Sequence, residues 1–307
     1  MPANNGRVQA SINIDLDTLC EELDEDTRLI RSTPLRAVTY QRVLPRFLEL
    51  LDRLNLKATF FIIGCDVAPH AATFKRIAAA GHELANHTMN HPKQLVRLSD
   101  DALVQEIREC GAAIHAATGV TPTGFRAPGY TVSPAVLKAL RGCGYTYDSS
   151  LNASWVYLTL KRVFKAVRLN DQEFMICQPF ADTIGPRNPY FVGDRLSRAD
   201  GDGFIEIPVS IVPYLHYPFV TSVLIQLGLP FTMWCLRRLI GAGRFVNCNL
   251  HINEFTDRSD LATVDRTFYF TQQYAAIDLS ERMRYFETLF TELKQRCDIV
   301  LLRDVRP

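Results

Sequence analysis

The stretch Asn86-His87-Thr88-Met89-Asn90-His91-Pro92 governs the reading of this chain once it is joined to Ile14-Asp15-Leu16-Asp17-Thr18 upstream. Two histidines four residues apart, with a carboxylate at the end of an apolar strand, offer three ligands on one side of a metal. That arrangement leaves coordination positions open for water and substrate, as metal-assisted hydrolysis requires. The histidine spacing alone is weak, because two surface histidines on one helical turn share it. It gains weight from Gly124-Phe125-Arg126-Ala127-Pro128-Gly129-Tyr130, Tyr147-Asp148-Ser149-Ser150 and Asn249-Leu250-His251.

Around these stretches, short β-branched or apolar runs alternate with helical patterns. Residues 8–15, 58–64, 82–87, 124–127, 145–149, 204–209, 245–251 and 299–302 read as strands. Leu44, Phe47, Leu48, Leu51 and Leu54 recur at helical spacing. Ser99 and Ser133 read as N-caps, the second followed by proline at the first helical position, and Gly119 and Gly142 as helix ends. A last helix spans about 280–295. This alternation favours an α/β fold with a parallel sheet or barrel, in which the carboxyl ends of the strands gather on one face. Asp15, His87, Arg126, Asp148 and His251 each fall at such an end.

With 307 residues, 47% hydrophobic and 22% charged, one catalytic domain over 1–307 is expected, elaborated at about 151–240. A formal net charge of +1 gives no global attraction to nucleic acid. Eight cysteines without a C-x-x-C pair argue against a zinc ribbon or redox motif; those in apolar settings, such as Cys65 and Cys248, read as buried reduced thiols. The N-terminal residues lack the apolar core of a signal peptide, so a cytoplasmic location is expected. Residues 207–236 hold no charge, but Pro208, Pro213, Pro218, Pro230 and Gln226 break them up too often for a membrane span. They read as a core strand plus buried helix, or as a greasy groove or membrane-surface face. No G-x-S-x-G, P-loop or dinucleotide fingerprint competes with the metal site.

The five motifs, taken in order, resemble those of the polysaccharide deacetylase family (the nodulation-deacetylase homology domain, carbohydrate esterase family 4), over about residues 10–255. The resemblance implies a distorted (β/α) barrel of seven or eight parallel strands. It implies one divalent metal, zinc or else cobalt or nickel, held by Asp17, His87 and His91. Thr88 and Pro92 complete the family's H-[S/T]-x-x-H-P form. The first motif departs from the family's adjacent aspartates, since Leu16 separates Asp15 from Asp17; on a straight strand their side chains would point to opposite sides.

By the same resemblance Asp15 is the general base, and Arg126 holds it ionised through a bidentate fork. His251 is the general acid that protonates the departing amine. Asp148 is the carboxylate paired with His251, although the tryptophan that often follows it is absent and Glu254 could tune the same histidine. Tyr130 binds substrate through backbone near the developing oxyanion, and Leu250 lines the acyl pocket. His70, His82, His115 and His216 read as surface or satisfied core residues.

The implied activity is removal of an N-acyl group, acetyl or formyl, from an N-acylated amino sugar. The uncharged 207–236 segment and the basic run Lys161, Arg162, Lys165 and Arg168 would suit a sugar phosphate on a polyprenyl lipid. The enzyme would then sit peripherally at the inner face of the membrane, with Tyr214, Tyr217, Phe219, Phe231 and Trp234 beside the mouth of the site. Hydrolysis of a small non-sugar amide, as in allantoinase-like relatives, and a barrel that only binds carbohydrate are the other readings. Oligomeric state is not legible.

Overall fold

The computed structural model describes residues 6–18, 34–92, 94–159, 180–261 and 276–307. The expected basic residues Lys161, Arg162, Lys165 and Arg168, and Cys20 and Cys177, lie outside them.

Eleven strands occur among the described residues: β1 Gln9–Asp15, β2 Thr59–Ile62, β3 Glu83–Asn86, β4 Gly124–Phe125, β5 Tyr147–Asp148, β6 Tyr190–Phe191, β7 Ile205–Glu206, β8 Ile211–Val212, β9 Tyr217–Pro218, β10 Val246–His251 and β11 Asp298–Ile299. The large sheet runs β10-β1-β2-β3-β4-β5-β7-β6, parallel from β10 to β7, with β6 antiparallel at its edge. β11 pairs in parallel with the start of β1, and β8 and β9 form a separate hairpin. All eight expected strands are present, and the parallel path plus β11 matches the expected barrel of seven or eight.

The barrel is distorted where β7 approaches β10. Among the described residues side chains, not a strand ladder, bridge this seam. Ser210 Oγ donates to the Phe245 carbonyl at 2.9 Å and accepts from Asn247 N–H at 2.7 Å. Asn247 Nδ2 donates to the Pro208 carbonyl at 3.0 Å.

Strand alternation sorts the residues into two environments. Ile12 and Ile14 of β1 and Cys248 and Leu250 of β10 pack outward, into a cluster with Phe47, Phe60, Phe255, Phe286 and Phe290. Burying each such side chain stabilises the fold by about 1.5–3 kcal/mol. A second outer cluster joins Phe125, Leu137, Leu140 and Tyr190. A smaller group of Phe61, Ala85, Tyr147, Ile205 and Leu302 plugs one end of the barrel. The rest of the interior is polar, and that is where the site forms.

The helices are α1 Pro34–Val38, which continues through a π turn (Thr39–Val43) into α2 Leu44–Arg53, then α3 Ala71–Ala79, α4 Asp100–Thr118, α5 Pro134–Gly142, α6 Thr221–Leu227, α7 Leu229–Gly241 and α8 Leu279–Arg296. Ser99 Oγ accepts from Ala102 N–H and Ser133 Oγ from Val136 N–H, each cap contributing about 1 kcal/mol. Gly119 ends α4 at φ +76°, a conformation that costs glycine nothing.

No helix among the described residues is long and apolar enough to cross a membrane. Residues 207–236 form the β8–β9 hairpin, α6 and most of α7. Their apolar side chains divide: Phe219, Leu224, Ile225, Met233 and Leu236 are buried, whereas Tyr214, Leu215, Leu227 and Trp234 are exposed. Among the cysteines, Cys248 is buried as expected, but Cys65 is only half-buried.

Candidate metal and acid–base site

The site grows from the polar, inward face of β1. Ser11, Asn13 and Asp15 alternate with outward isoleucines, and in register beside them stand Asn247, Asn249 and His251 of β10. Asn13 Nδ2 donates to Asn247 Oδ1 at 2.6 Å, which ties the two strands together across the buried polar floor of the site.

β1 stops at Asp15 and the chain bends, which resolves the problem of the separated aspartates. Asp17 turns back to the same side and meets the loop after β3. Its Oδ1 lies 3.2 Å from His87 Nε2 and 3.4 Å from His91 Nε2. One ligand atom from each of these residues falls within 4.8 Å of the others. Ligand bonds of about 2.1 Å place the corners of a tetrahedron about 3.4 Å apart, so the spacing suits one metal ion. Asp17 Oδ1 is also buried without a well-aligned hydrogen-bond donor. The residues fit the implied metal.

The loop that carries the histidines is strained and held. Thr88 and His91 adopt φ of +69° and +52°, rare for residues with a Cβ. Thr88 N–H donates to Asn86 Oδ1 at 2.7 Å, and His91 N–H to Thr88 Oγ1 at 3.1 Å. His87 Nδ1 donates to the Arg126 carbonyl at 2.7 Å, which leaves Nε2 to face Asp17. Burial opposes charge on Asp17, but His91, His87 and His251 hold its carboxyl well below the usual carboxylate range. Burial likewise opposes charge on His87, and Asp17 and Asp15 outweigh it.

Arg126 is wholly buried beneath the site, its guanidinium 4.0 Å from the centre of the Phe61 ring. Its Nη1 donates to Asp15 Oδ1 at 2.7 Å. The remaining donors fan out to the Ser149 carbonyl (2.9 Å), Asn13 Oδ1 (2.7 Å), Ser149 Oγ (2.9 Å) and Asn249 Oδ1 (3.2 Å). Arg126 therefore bonds Asp15 through one contact in place of the expected bidentate fork. This leaves Asp15 Oδ2 to face His251 Nε2 at 3.7 Å.

His251 closes the other side and is partly exposed. Burial would lower its pKa, but Glu254, Asp15 and Asp17 outweigh that and hold it at about 10. Glu254 is fixed by its neighbours. Its Oε1 accepts from His251 N–H at 2.9 Å and lies 3.7 Å from His251 Nδ1, while Oε2 accepts from Thr221 Oγ1 at 2.6 Å. Buried Arg282 of α8 donates to the Glu254 and Thr256 carbonyls and so holds the turn itself.

Two expected assignments are corrected by strand parity. Asp148 is the register partner of Phe125 and points with it to the outer face, whereas Arg126 and Ser149 point inward. It bonds Ser150 Oγ at 2.6 Å and meets Glu206; Glu254 occupies the place beside His251. Leu250, between inward Asn249 and His251, belongs to the outer core beside Ile14 and lines no acyl pocket. Tyr130 does stand at the site, its φ at +59° and its hydroxyl accepting from Asn249 Nδ2 at 3.4 Å. Its backbone N–H already donates to the Ala127 carbonyl at 3.0 Å, so that group does not face the cavity.

Asn13, Asn249 and Ser149 were missed. The polar residue at every second position of two apolar strands signals Asn13 and Asn249; Ser149 follows β5 and carries no such signal. His82, set aside from the site, is a buried core residue whose Nδ1 accepts from Ala58 N–H at 3.1 Å; burial pushes its pKa down to about 4.

Comparison with known proteins bears on the fold and on part of the chain. Residues 37–147 match the family model for polysaccharide deacetylase. The chain is 36% identical over 101 residues to a peptidoglycan-N-acetylglucosamine deacetylase of Bacillus cereus, covering 33% of this chain and 46% of that protein. It is 41% identical over 69 residues to a chitooligosaccharide deacetylase of Rhizobium leguminosarum bv. trifolii, covering 22% and 32%. These matches span less than half the length of either relative. A crystal structure from Mycobacterium smegmatis, assigned to the polysaccharide deacetylases, superposes over 100% of this chain and 97% of its own with a TM-score of 0.58 at 22% identity, a likeness of fold. Residues 37–147 thus resemble the polysaccharide deacetylases, and the described residues share the distorted (β/α) barrel of the Mycobacterium smegmatis structure.

Proposed function

We propose that this protein is a metal-dependent hydrolase that removes an N-acyl group, acetyl or formyl, from an amino sugar. The observation that carries the reading is Asp15, held between Arg126 at 2.7 Å and His251 at 3.7 Å, beside the Asp17, His87 and His91 cluster. An amide carbon is a poor electrophile and an amine anion cannot leave, so the reaction needs an activated water, charge stabilisation and a proton at nitrogen. A divalent ion held by Asp17, His87 and His91, zinc by its donor set and otherwise cobalt or nickel, would supply a water of lowered pKa and polarise the carbonyl.

The chain's own residues divide the remaining tasks. Asp15, ionised and oriented by Arg126, accepts the proton of the attacking water. His251, whose protonated form Glu254 and Asp15 favour, delivers a proton to the departing nitrogen. The names of the relatives favour N-acetylated sugars of glycan type. The exposed Tyr214, Leu215, Leu227 and Trp234 would offer apolar contacts to a substrate tail, such as that of a polyprenyl-linked sugar met at a membrane surface.

The test is amine release from N-acetyl and N-formyl sugars presented free, nucleotide-linked and lipid-linked. Turnover of the lipid-linked form alone supports the finer reading. Turnover of free oligosaccharides at an equal rate removes it and keeps the deacetylase. No amine release from any N-acylated sugar refutes both.

A further inference from the structure

Asp148 and Glu206 are register partners on parallel strands β5 and β7, both wholly buried on the outer face of the sheet. Three of their contacts hold the segment that follows β5. Asp148 Oδ1 accepts from Ser150 Oγ at 2.6 Å, and Glu206 Oε1 accepts from Ser150 N–H at 3.2 Å and Leu151 N–H at 2.8 Å. The remaining oxygens, Asp148 Oδ2 and Glu206 Oε2, are buried and have no donor from any other group. Asp148 also hydrogen-bonds the Ser149 backbone, and the two carboxyls hydrogen-bond each other. Two ionised carboxylates cannot share such a place, because burial penalises each charge and each repels the other.

We propose that Asp148 Oδ2 and Glu206 Oε2 share one proton, and that this proton positions residues 149–151 so that they grip Arg126 and the turn 127–130. The connection is short. The Ser149 carbonyl and Oγ receive Arg126 Nε and Nη2, each at 2.9 Å. Ser150 Oγ accepts from Ala127 N–H at 2.8 Å, at the root of the turn that presents Tyr130. The pair touches neither substrate nor metal ligand and acts through Arg126 on Asp15. This role rests on the proposed hydrolase for its catalytic consequence, but not for the proton itself.

Around the pair, Tyr190 of β6 faces both carboxyls with Asp182 and Asp200 beyond it, and Arg126 is the charge nearest on the inner side. Burial raises Asp148 to about 6 and Glu206 well above the ordinary glutamate value. The proton is therefore kept at neutral pH and released on the alkaline side, where the two charges push the segment apart.

Glu206→Gln and Asp148→Asn test this, because each amide keeps the accepting oxygen and supplies an N–H in place of the shared proton. In urea unfolding from mildly acidic to alkaline pH, the wild-type protein should lose stability relative to either variant, with a slope of up to one proton. The Arg126 Nε–H resonance should shift over the same alkaline range in the wild type and hold still in the variants. In turnover, the alkaline fall of kcat should move to higher pH in both variants with KM little changed.

Parallel stability curves for wild type and both variants would overturn the shared proton. Divergent stability curves with an Arg126 resonance that behaves identically would overturn the positioning role. If no N-acylated sugar is turned over, the stability and resonance data still decide the proposal, and only the hydrolase reading fails.

Discussion

Asp15 and His251 face each other across the seam between β1 and β10, register partners with Asp15 Oδ2 3.7 Å from His251 Nε2. The other oxygen of Asp15 is pinned by Arg126 at 2.7 Å. One carboxylate thus sits between a permanent cation and a titratable one, which suits a base whose partner acid works on the far side of the scissile bond.

Replacing Asp15 with asparagine keeps its shape and removes the charge. Turnover should fall by about 10²–10⁴, the usual worth of a positioned proton transfer. Metal content should stay at the wild-type level in elemental analysis, because Asp17 and the two histidines are untouched. Loss of the metal along with the activity would move Asp15 into the ligand set.

Arg126→Leu should cost about 3–5 kcal/mol in urea unfolding, the usual result of stranding one partner of a buried ion pair. Asp15 would lose its cation, and Asn13, Ser149 and Asn249 would lose a donor. A cost under about 1 kcal/mol, the scale of an exposed pair, would show that solvent reaches this guanidinium.

His251 gives a pH prediction with a definite sign. Its pKa rises from 6.5 unfolded to about 10 in the metal-free fold, so its charge contributes stability that is complete below about 6.5 and is lost as pH climbs through about 10. An NMR titration of the metal-free protein should place the ring near 10, and Glu254→Gln should bring it down towards 6.5. An unchanged value in that variant would remove Glu254 from the account.

Metal should stabilise the folded chain by mass action. At free ion about 100-fold above its dissociation constant the gain is about 2.7 kcal/mol, and a chelator should abolish it. In His91→Ala the unfolding curve should respond to neither ion nor chelator. A wild-type curve indifferent to both would argue that the cluster holds no ion.

Much of this was legible in the residues, and the failures have one cause. The eight strands and the helix caps at Ser99 and Ser133 follow from local pattern, and the Asp17–His87–His91 cluster and the Asp15–Arg126 pair follow from the family resemblance of the motifs. Asp148 and Leu250 were misassigned because a motif names a residue without naming its face. On a strand the face alternates: once Asn249 and His251 point inward, Leu250 must point outward. The same rule sends Asp148 outward with Phe125 and leaves His251 to Glu254, three residues along its own chain. Glu206 carried no sequence signal, since its meaning depends on register with a strand far away. The expected phosphate contacts of Lys161, Arg162 and Lys165 lie outside the described residues.

The most direct test is to titrate metal-free protein with a divalent ion and follow bound metal and amine release from N-acetylated amino-sugar oligomers in the same samples. The account predicts that the rate rises in proportion to bound metal, saturates at one ion per chain and stays at background in Asp17→Ala, which loses a ligand of the single cluster. A rate independent of bound metal, or an Asp17→Ala protein that keeps both its ion and its rate, would contradict it.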